Sequence, residues 1–209
     1  MRLESISASP DRAGRYLVTF SDGKTMKLYP QTVSDCGLFP GQELSQEAYA
    51  ALLDAAGSFA ARMRAVRIVS ASSVSKQDLE QRLIRKGEDP GHARDAVAWM
   101  EELSLVDDRE TARQIVARGI ARGYGPARVK QMLYEKQIPK ALWEEALADF
   151  PDQEEEIMSF LRGRLAPGAD QKERKKAIDA LLRRGHSWSA IRRCLDRLGQ
   201  AEYADVEDY

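Results

Sequence analysis

The sequence predicts a mainly α fold: tandem three-helix repeats, three units, preceded by a small N-terminal β-hairpin and a helix. Three observations predict it. First, the segments LIRKG at Leu83–Gly87, LYEKQ at Leu133–Gln137 and LLRRG at Leu181–Gly185 recur at about fifty-residue spacing, a period typical of stacked helical units. Each carries an apolar residue four positions before its leucine (Leu79, Val129, Ala177) and another ten positions after its fifth member (Val97, Leu147, Leu195). Second, polar–apolar alternation around Asp22-Gly23 marks a hairpin. Third, helix start and stop residues punctuate the chain from Ser75 onward. Arrays of this kind present long surfaces to other macromolecules rather than pockets to metabolites.

In the hairpin, a two-residue Asp-Gly loop would place Val18 opposite Lys27. A three-residue loop, Ser21 to Gly23, places Val18 opposite Met26 and Tyr16 opposite Leu28. The second register gathers the apolar side chains on one face and puts Gly23 in the left-handed position of a bulged turn. Pro30 limits the second strand. A lone hairpin is marginal, so it should pack on a helix or pair with Leu3–Ile6. Ser45 then caps a helix running to about Ser70, with Leu52, Leu53, Ala56, Phe59, Ala60 and Met63 at helical spacing. The serine cluster Ser70–Ser75 breaks it.

Beyond Ser75 the expected helices span 75–86, 90–104, 107–122, 125–136, 139–148, 152–165, 170–184 and 187–198, with a short segment near 200–206. Ser75 and Asp89 are N-caps, the latter followed by Pro90 at the first helical position. Asp107 with Glu110, and Asp152 with Glu155, read as Asp capping boxes. Gly125-Pro126, Ile138-Pro139 and Ser187 open further helices, and Gly87, Gly123 and Gly185 sit at C-terminal positions. The expected domains are 1–74, 75–123, 124–166 and 167–209, the last with an acidic tail. The expected small cores are Leu79/Leu83 with Val97 and Leu103, Val129/Leu133 with Leu142 and Leu147, and Ala177/Leu181 with Ile191 and Leu195. Short helices are poorly stable alone, so these cores must hold them.

Of 209 residues, 32 are Lys or Arg and 33 Asp or Glu, but the near-neutral balance hides an asymmetry. Residues 75–108 hold five basic against nine acidic side chains; 109–147 hold eight against four; 162–198 hold eleven against four. Acids return at Asp149–Glu156 and from Glu202 to Asp208. A polyanionic partner and a merely solvated helix face both account for the basic stretches. Their densest groups are Arg118, Arg122, Arg128 and Lys130 around the Gly123–Gly125 turn, and Arg183, Arg184, Arg192 and Arg193 around Gly185. These eight are the candidate partner-binding residues. Tyr124 and Tyr134 flank Arg128 and Lys130, an interleaving that also suits nucleic acid.

No catalytic constellation is visible, and no cofactor or metal is expected. His92 and His186 lack ligand-spaced neighbours and read as solvent-facing polar residues. Gly23-Lys24-Thr25 resembles the end of a phosphate loop, but Val18 replaces the required glycine and a strand follows. Trp99, Trp143 and Trp188 sit at different offsets, so packing is their expected role. No apolar run approaches a membrane span and no secretory signal is visible. Cys36 and Cys194 read as reduced thiols.

The segments SKQDLEQRLIRKG (75–87), LSLVDDRETA (103–112), RGYGPARVKQML (122–133) and AIDALLRRGHSWSAI (177–191) together resemble the RecX regulatory proteins. The resemblance covers about residues 70–198. It departs at Gln137, where the other repeats have glycine, and in the acidic stretches. It implies a monomeric cytoplasmic protein built of three-helix repeats. It also implies binding in the groove of the RecA filament and inhibition of strand exchange, ATP hydrolysis and co-protease activity in DNA repair and the SOS response, without enzymatic activity. The competing reading is a standalone helical DNA-binding module, which the acidic first repeat weakens.

Overall fold

The computed structural model describes residues 1–10, 14–166 and 168–204. The chain divides into two compact units, Met1–Val106 and Asp107 onward.

The first unit opens with a three-stranded antiparallel sheet in the order β1-β2-β3, formed by Leu3–Ala8, Tyr16–Phe20 and Thr25–Leu28. Val18 pairs with Met26 and Tyr16 with Leu28. The three-residue loop is therefore the one used, and Gly23 takes φ +78°. β1 supplies the third strand, with an irregularity between Leu3 and Ser5. Leu3, Val18, Phe20 and Leu28 are fully buried against Leu52 of the long helix, while Tyr16 at the strand start stays exposed. Sequence reading missed α1, Pro30–Asp35: Pro30 ends the strand by starting a helix, its fixed φ suiting the first helical position.

Helix α2 spans Gln46–Ala71, with the Ser45 hydroxyl accepting from the Ala48 amide at 3.1 Å. α3 (Lys76–Arg85) is capped by Ser75 and α4 (Pro90–Glu102) by Asp89. One core holds Ala61 and Ala65 of α2 with Leu79, Leu83, Ala93, Ala96, Val97 and Met100. Two alanines at one-turn spacing let α2 approach closely. Leu103 does not join this core. It follows the last turn of α4 as its C-cap and is 49% exposed, its apparent place in the stripe lost when the helix ends at Glu102.

The second unit holds α5 (Asp108–Ala121), α6 (Pro126–Glu135), a 3₁₀ turn (Lys140–Leu142) leading into the short α7 (Trp143–Leu147), α8 (Glu154–Arg162), α9 (Gln171–Arg183) and α10 (Trp188–Ala204). The Asp107 carboxylate caps α5. Asp152 does not cap its helix at the expected position: Gln153 is the N-cap residue, and the Asp152 carboxylate accepts only the Glu154 amide, at 3.1 Å. The full reciprocal capping box is at Asp170 and Glu173. α10 continues unbroken to Ala204 instead of stopping at 198; residues 205 and 206 of the expected short segment, and the end of the acidic tail, lie outside the described residues.

Leu83, Leu133 and Leu181 are all buried, at 0, 0 and 1% exposure, so the repeat marks one equivalent position. The buried clusters group α2–α3–α4, α5–α6–α7 and α8–α9–α10. Boundaries at 123/124 and 166/167 instead separate α5 from α6 and α8 from α9. A period fixes the spacing of units, not the helix at which each begins. In the second bundle Ala112, Ile115 and Val116 of α5 close over Val129 and Leu133, with Leu142 and Leu147 half-buried around them. In the third, Ile157 and Leu161 of α8 close over Ala177, Leu181 and Ile191, with Leu195 half-buried.

Candidate functional site

The two candidate basic clusters are brought together by a helix-end junction inside the second unit. α6 starts at Gly125, a residue with no side chain to cap the helix, so its first amides need other acceptors. The carbonyl of Arg184 accepts from the Gly125 amide at 2.8 Å, and that of Gly185 from the Ala127 amide at 3.2 Å. The start of α6 thus docks on the end of α9, and the opposed ends of two helix dipoles meet. The approach requires glycine twice. A Cβ on Gly125 would overlap the Gly185 carbonyl, and one on Gly185 would overlap the backbone of Arg128. Gly185 also has φ +88°, a conformation that suits glycine.

His186 locks the same turn from the α9 side. It is 5% exposed and its Nε2 donates to the Gly123 carbonyl at 3.1 Å. The expectation of a solvent-facing histidine is therefore corrected: the docking of two turns buries it. Burial pushes its pKa below the ordinary value, and Arg184 adds to that; the Gly123 bond and Glu156 oppose it. Nδ1 is buried without a hydrogen-bond partner.

The eight candidate residues fall into three groups. Arg118, Arg122, Lys130 and Arg183 are exposed and form no ion pair among the described residues. Arg118 on α5 and Arg122 at its C-cap are one turn apart, next to the Gly123 turn. Arg128 and Arg184 belong to the junction itself. Arg128 reaches Glu135 at 3.3 Å and is only one-third exposed, and the Arg184 guanidinium lies 4.8 Å over the Phe160 ring. The third group is on α10. Arg192 is 71% exposed and 4.0 Å from Asp196, while Arg193 binds Glu154 of α8 at 2.9 Å. Glu154 also takes Arg197 at 3.0 Å, and its bond raises the Arg193 pKa. Arg193 is thus a tether between α8 and α10.

Sequence reading did not find Phe160 and Arg164, which with Arg184 form an arginine–aromatic stack; nothing in residue spacing links 160 to 184. Of the tryptophans, Trp99 packs on the first core beneath Arg62, and Trp143 is half-buried with its indole N–H donating to the Ile138 carbonyl at 3.0 Å. Trp188 does not pack: it is 53% exposed at the first position of α10. Tyr134 is 69% exposed, beside the buried Leu133. Among the described residues no group of His, Cys, Asp or Glu is placed to hold a metal, and no helix is long and apolar enough to cross a membrane. Both cysteines are free thiols.

Three-helix bundles that recur along the chain, two of them joined in the second unit by a glycine turn, define a helical-repeat protein. The comparisons with known proteins carry this further. The family model described as the second three-helix domain of RecX matches residues 107–147, from the cap of α5 to the end of α7; that for the third three-helix domain matches 161–195. The regulatory protein RecX of Chlorobaculum tepidum is 31% identical over 131 residues, covering 61% of this chain and 81% of that protein. That of Halorhodospira halophila is 29% identical over 140 residues, covering 66% and 87%. A crystal structure of a regulatory protein RecX aligns with TM-score 0.66 at 24% identity, over 93% of this chain and 98% of that one. RecX from Lactobacillus salivarius aligns with TM-score 0.60 at 18% identity, over 69% and 97%. At those identities the two structures speak for the fold alone. The chain belongs to the RecX family of regulatory proteins.

Proposed function

We propose that this protein binds the RecA nucleoprotein filament and inhibits its recombinase, ATPase and co-protease activities. In this reading it acts in the cytoplasm as a monomer, away from membranes, and catalyses nothing itself. Membership of a family of regulatory proteins sets the class of the reading. The observation that carries the surface is the glycine junction, which fixes the second and third bundles against each other and leaves Arg118, Arg122, Lys130 and Arg183 exposed. Cations on adjoining bundles of a rigid pair engage a periodic partner with little further ordering cost. Linked contacts then gain from high effective concentration.

The test is the rate of DNA-dependent ATP hydrolysis by RecA of the same organism against added protein. Wild type should inhibit at near-stoichiometric amounts. The variant with Arg118, Arg122, Lys130 and Arg183 all changed to Glu should inhibit at least about tenfold less well, a loss of about 1.4 kcal/mol, and the difference should shrink with added salt. Arg193 is left intact because its bond to Glu154 supports the fold. Absence of inhibition by wild type removes the regulator reading. Full potency of the variant moves the contact surface elsewhere.

A further inference from the structure

A concentration of positive charge faces a cavity in the first unit, far in sequence from the clusters above. A cleft of about 520 Å³ opens between the sheet, α2 and α3. Six cationic side chains line it, from four elements of chain: Arg15, Lys27, Arg64, Arg67, Arg82 and Lys86. Among the described residues no carboxylate lines it. Leu28, Ala60 and Ile68 contribute an apolar wall, and Tyr29 stands beside them with its ring against Phe59.

Ordinary structural roles explain only part of this. Glu88 holds Arg64, and Asp78 holds Arg82 at 2.8 Å, both from outside the lining. Those bonds fix two guanidinium groups in place. Lys86 caps the end of α3, where a cation complements the helix dipole. Arg64 and Arg67 have no such reason, since the last turn of α2 carries no basic residue and both precede it. Arg67 bonds to the Tyr29 hydroxyl, a neutral partner, and pairs with no carboxylate among the described residues. Like charges converging on one cleft repel, and an anion placed between them offsets that repulsion. The volume falls in the range of small-molecule sites. Planar guanidinium forks beside an ammonium suit phosphate oxygens, and the apolar wall with Tyr29 suits a sugar or base attached to them.

We propose that this cleft binds the phosphates of a nucleotide, either free as a nucleoside triphosphate or as one stretch of a single strand. A triphosphate carries several negative charges at neutral pH, and its oxygens are strong acceptors for guanidinium and ammonium groups. The inference does not rest on the regulator reading, and its test contains no RecA.

The test uses the full chain and a fluorescently labelled twelve-nucleotide oligothymidylate, read by anisotropy at several salt concentrations, with ATP and inorganic triphosphate as competitors and as direct calorimetric ligands. In the Arg67→Glu/Lys86→Glu variant, oligonucleotide or triphosphate affinity should fall at least about tenfold. If the strand is the ligand, the salt slope should fall by about 1 to 2. The milder Arg67→Gln/Lys86→Gln variant should show a smaller loss in the same direction, and both should keep the wild-type helical circular dichroism. Displacement of the oligonucleotide by micromolar ATP and triphosphate assigns the cleft to the free nucleotide; failure to displace assigns it to the strand. The proposal is overturned if none of the three probes binds. It is equally overturned if they bind and both variants, still folded, bind as wild type does, or if only the Arg118/Arg122/Lys130/Arg183 variant loses binding.

Discussion

The turn after α3 and the turn after α9 share a conformation and differ in everything around it. Gly87 has φ +90° and Gly185 φ +88°. Each accepts the end of a middle helix whose buried leucine sits four residues earlier. A side chain added at Gly87 would meet open space, whereas one added at Gly185 would strike the backbone of Arg128. The repeat therefore preserves a local device, the glycine C-terminal turn, while one copy has been recruited to join two bundles and another has not. Local conformation is written in each segment. Its use in assembly is written only in the partner that docks there.

The comparison breaks most sharply under alanine substitution. Gly185→Ala should cost about 3 kcal/mol or more, because a left-handed backbone and a backbone overlap add together. Gly87→Ala should cost only the left-handed penalty, about 1–2 kcal/mol. Urea unfolding of the two variants measures the contrast. Equal losses would mean that the junction at Gly185 yields easily and does not hold the second and third bundles together.

This contrast also shows what could be read in advance. The helices, most caps, the hairpin register and the buried Leu83, Leu133 and Leu181 were legible, because each depends on residues within a turn or two of one another. Helix α1 was hidden by Pro30, which serves equally as a strand terminator and a helix first residue. Leu103 continued an apolar stripe that the backbone abandons one residue earlier. The eight candidate basic residues were visible as local charge density. Density could not show that Arg193 is spent on Glu154 or that Arg184 lies on Phe160, since those partners are 39 and 24 residues away. The cleft of the first unit was invisible for the same reason: Arg15 and Lys27 join Arg64, Arg67, Arg82 and Lys86 only when the strands fold against α2.

A smaller effect sharpens the junction side of the comparison. His186 has Nε2 bonded to a carbonyl, so this nitrogen carries the proton and Nδ1 is bare. Protonation would place a second N–H where no acceptor stands. Burial accordingly holds the folded pKa below the ordinary 6.5. Between those two values the unfolded chain binds more protons than the folded one, so stability rises with pH. It is fully present above about pH 6.5 and is lost as pH falls through that value toward the folded pKa. Wild type should lose more stability between pH 7.5 and 5.5 than His186→Asn does, with Gly87 variants behaving like wild type. A parallel loss in wild type and His186→Asn would remove the histidine from the account.

The smallest effect concerns the second bundle, which lies between the two compared turns in sequence. Gln137 occupies the place of Gly87 and Gly185 and adopts φ +55° without being glycine. A left-handed residue with a Cβ costs about 1–2 kcal/mol. Glycine would remove that strain but lose about 0.5–1 kcal/mol through its freer unfolded state. The Gln137 side chain complicates the balance. It is half-buried and bonded, yet its Oε1 is buried without a hydrogen-bond partner. Deleting an unsatisfied oxygen is favourable, and deleting the packing around it is not. Gln137→Gly should therefore stabilise the protein by less than about 1 kcal/mol, seen as a higher urea midpoint with an unchanged slope. A loss of more than that amount would show that the glutamine side chain holds the second bundle more strongly than its backbone strains it. The departure from glycine would then be a device of that bundle, as the docked turn is of the third.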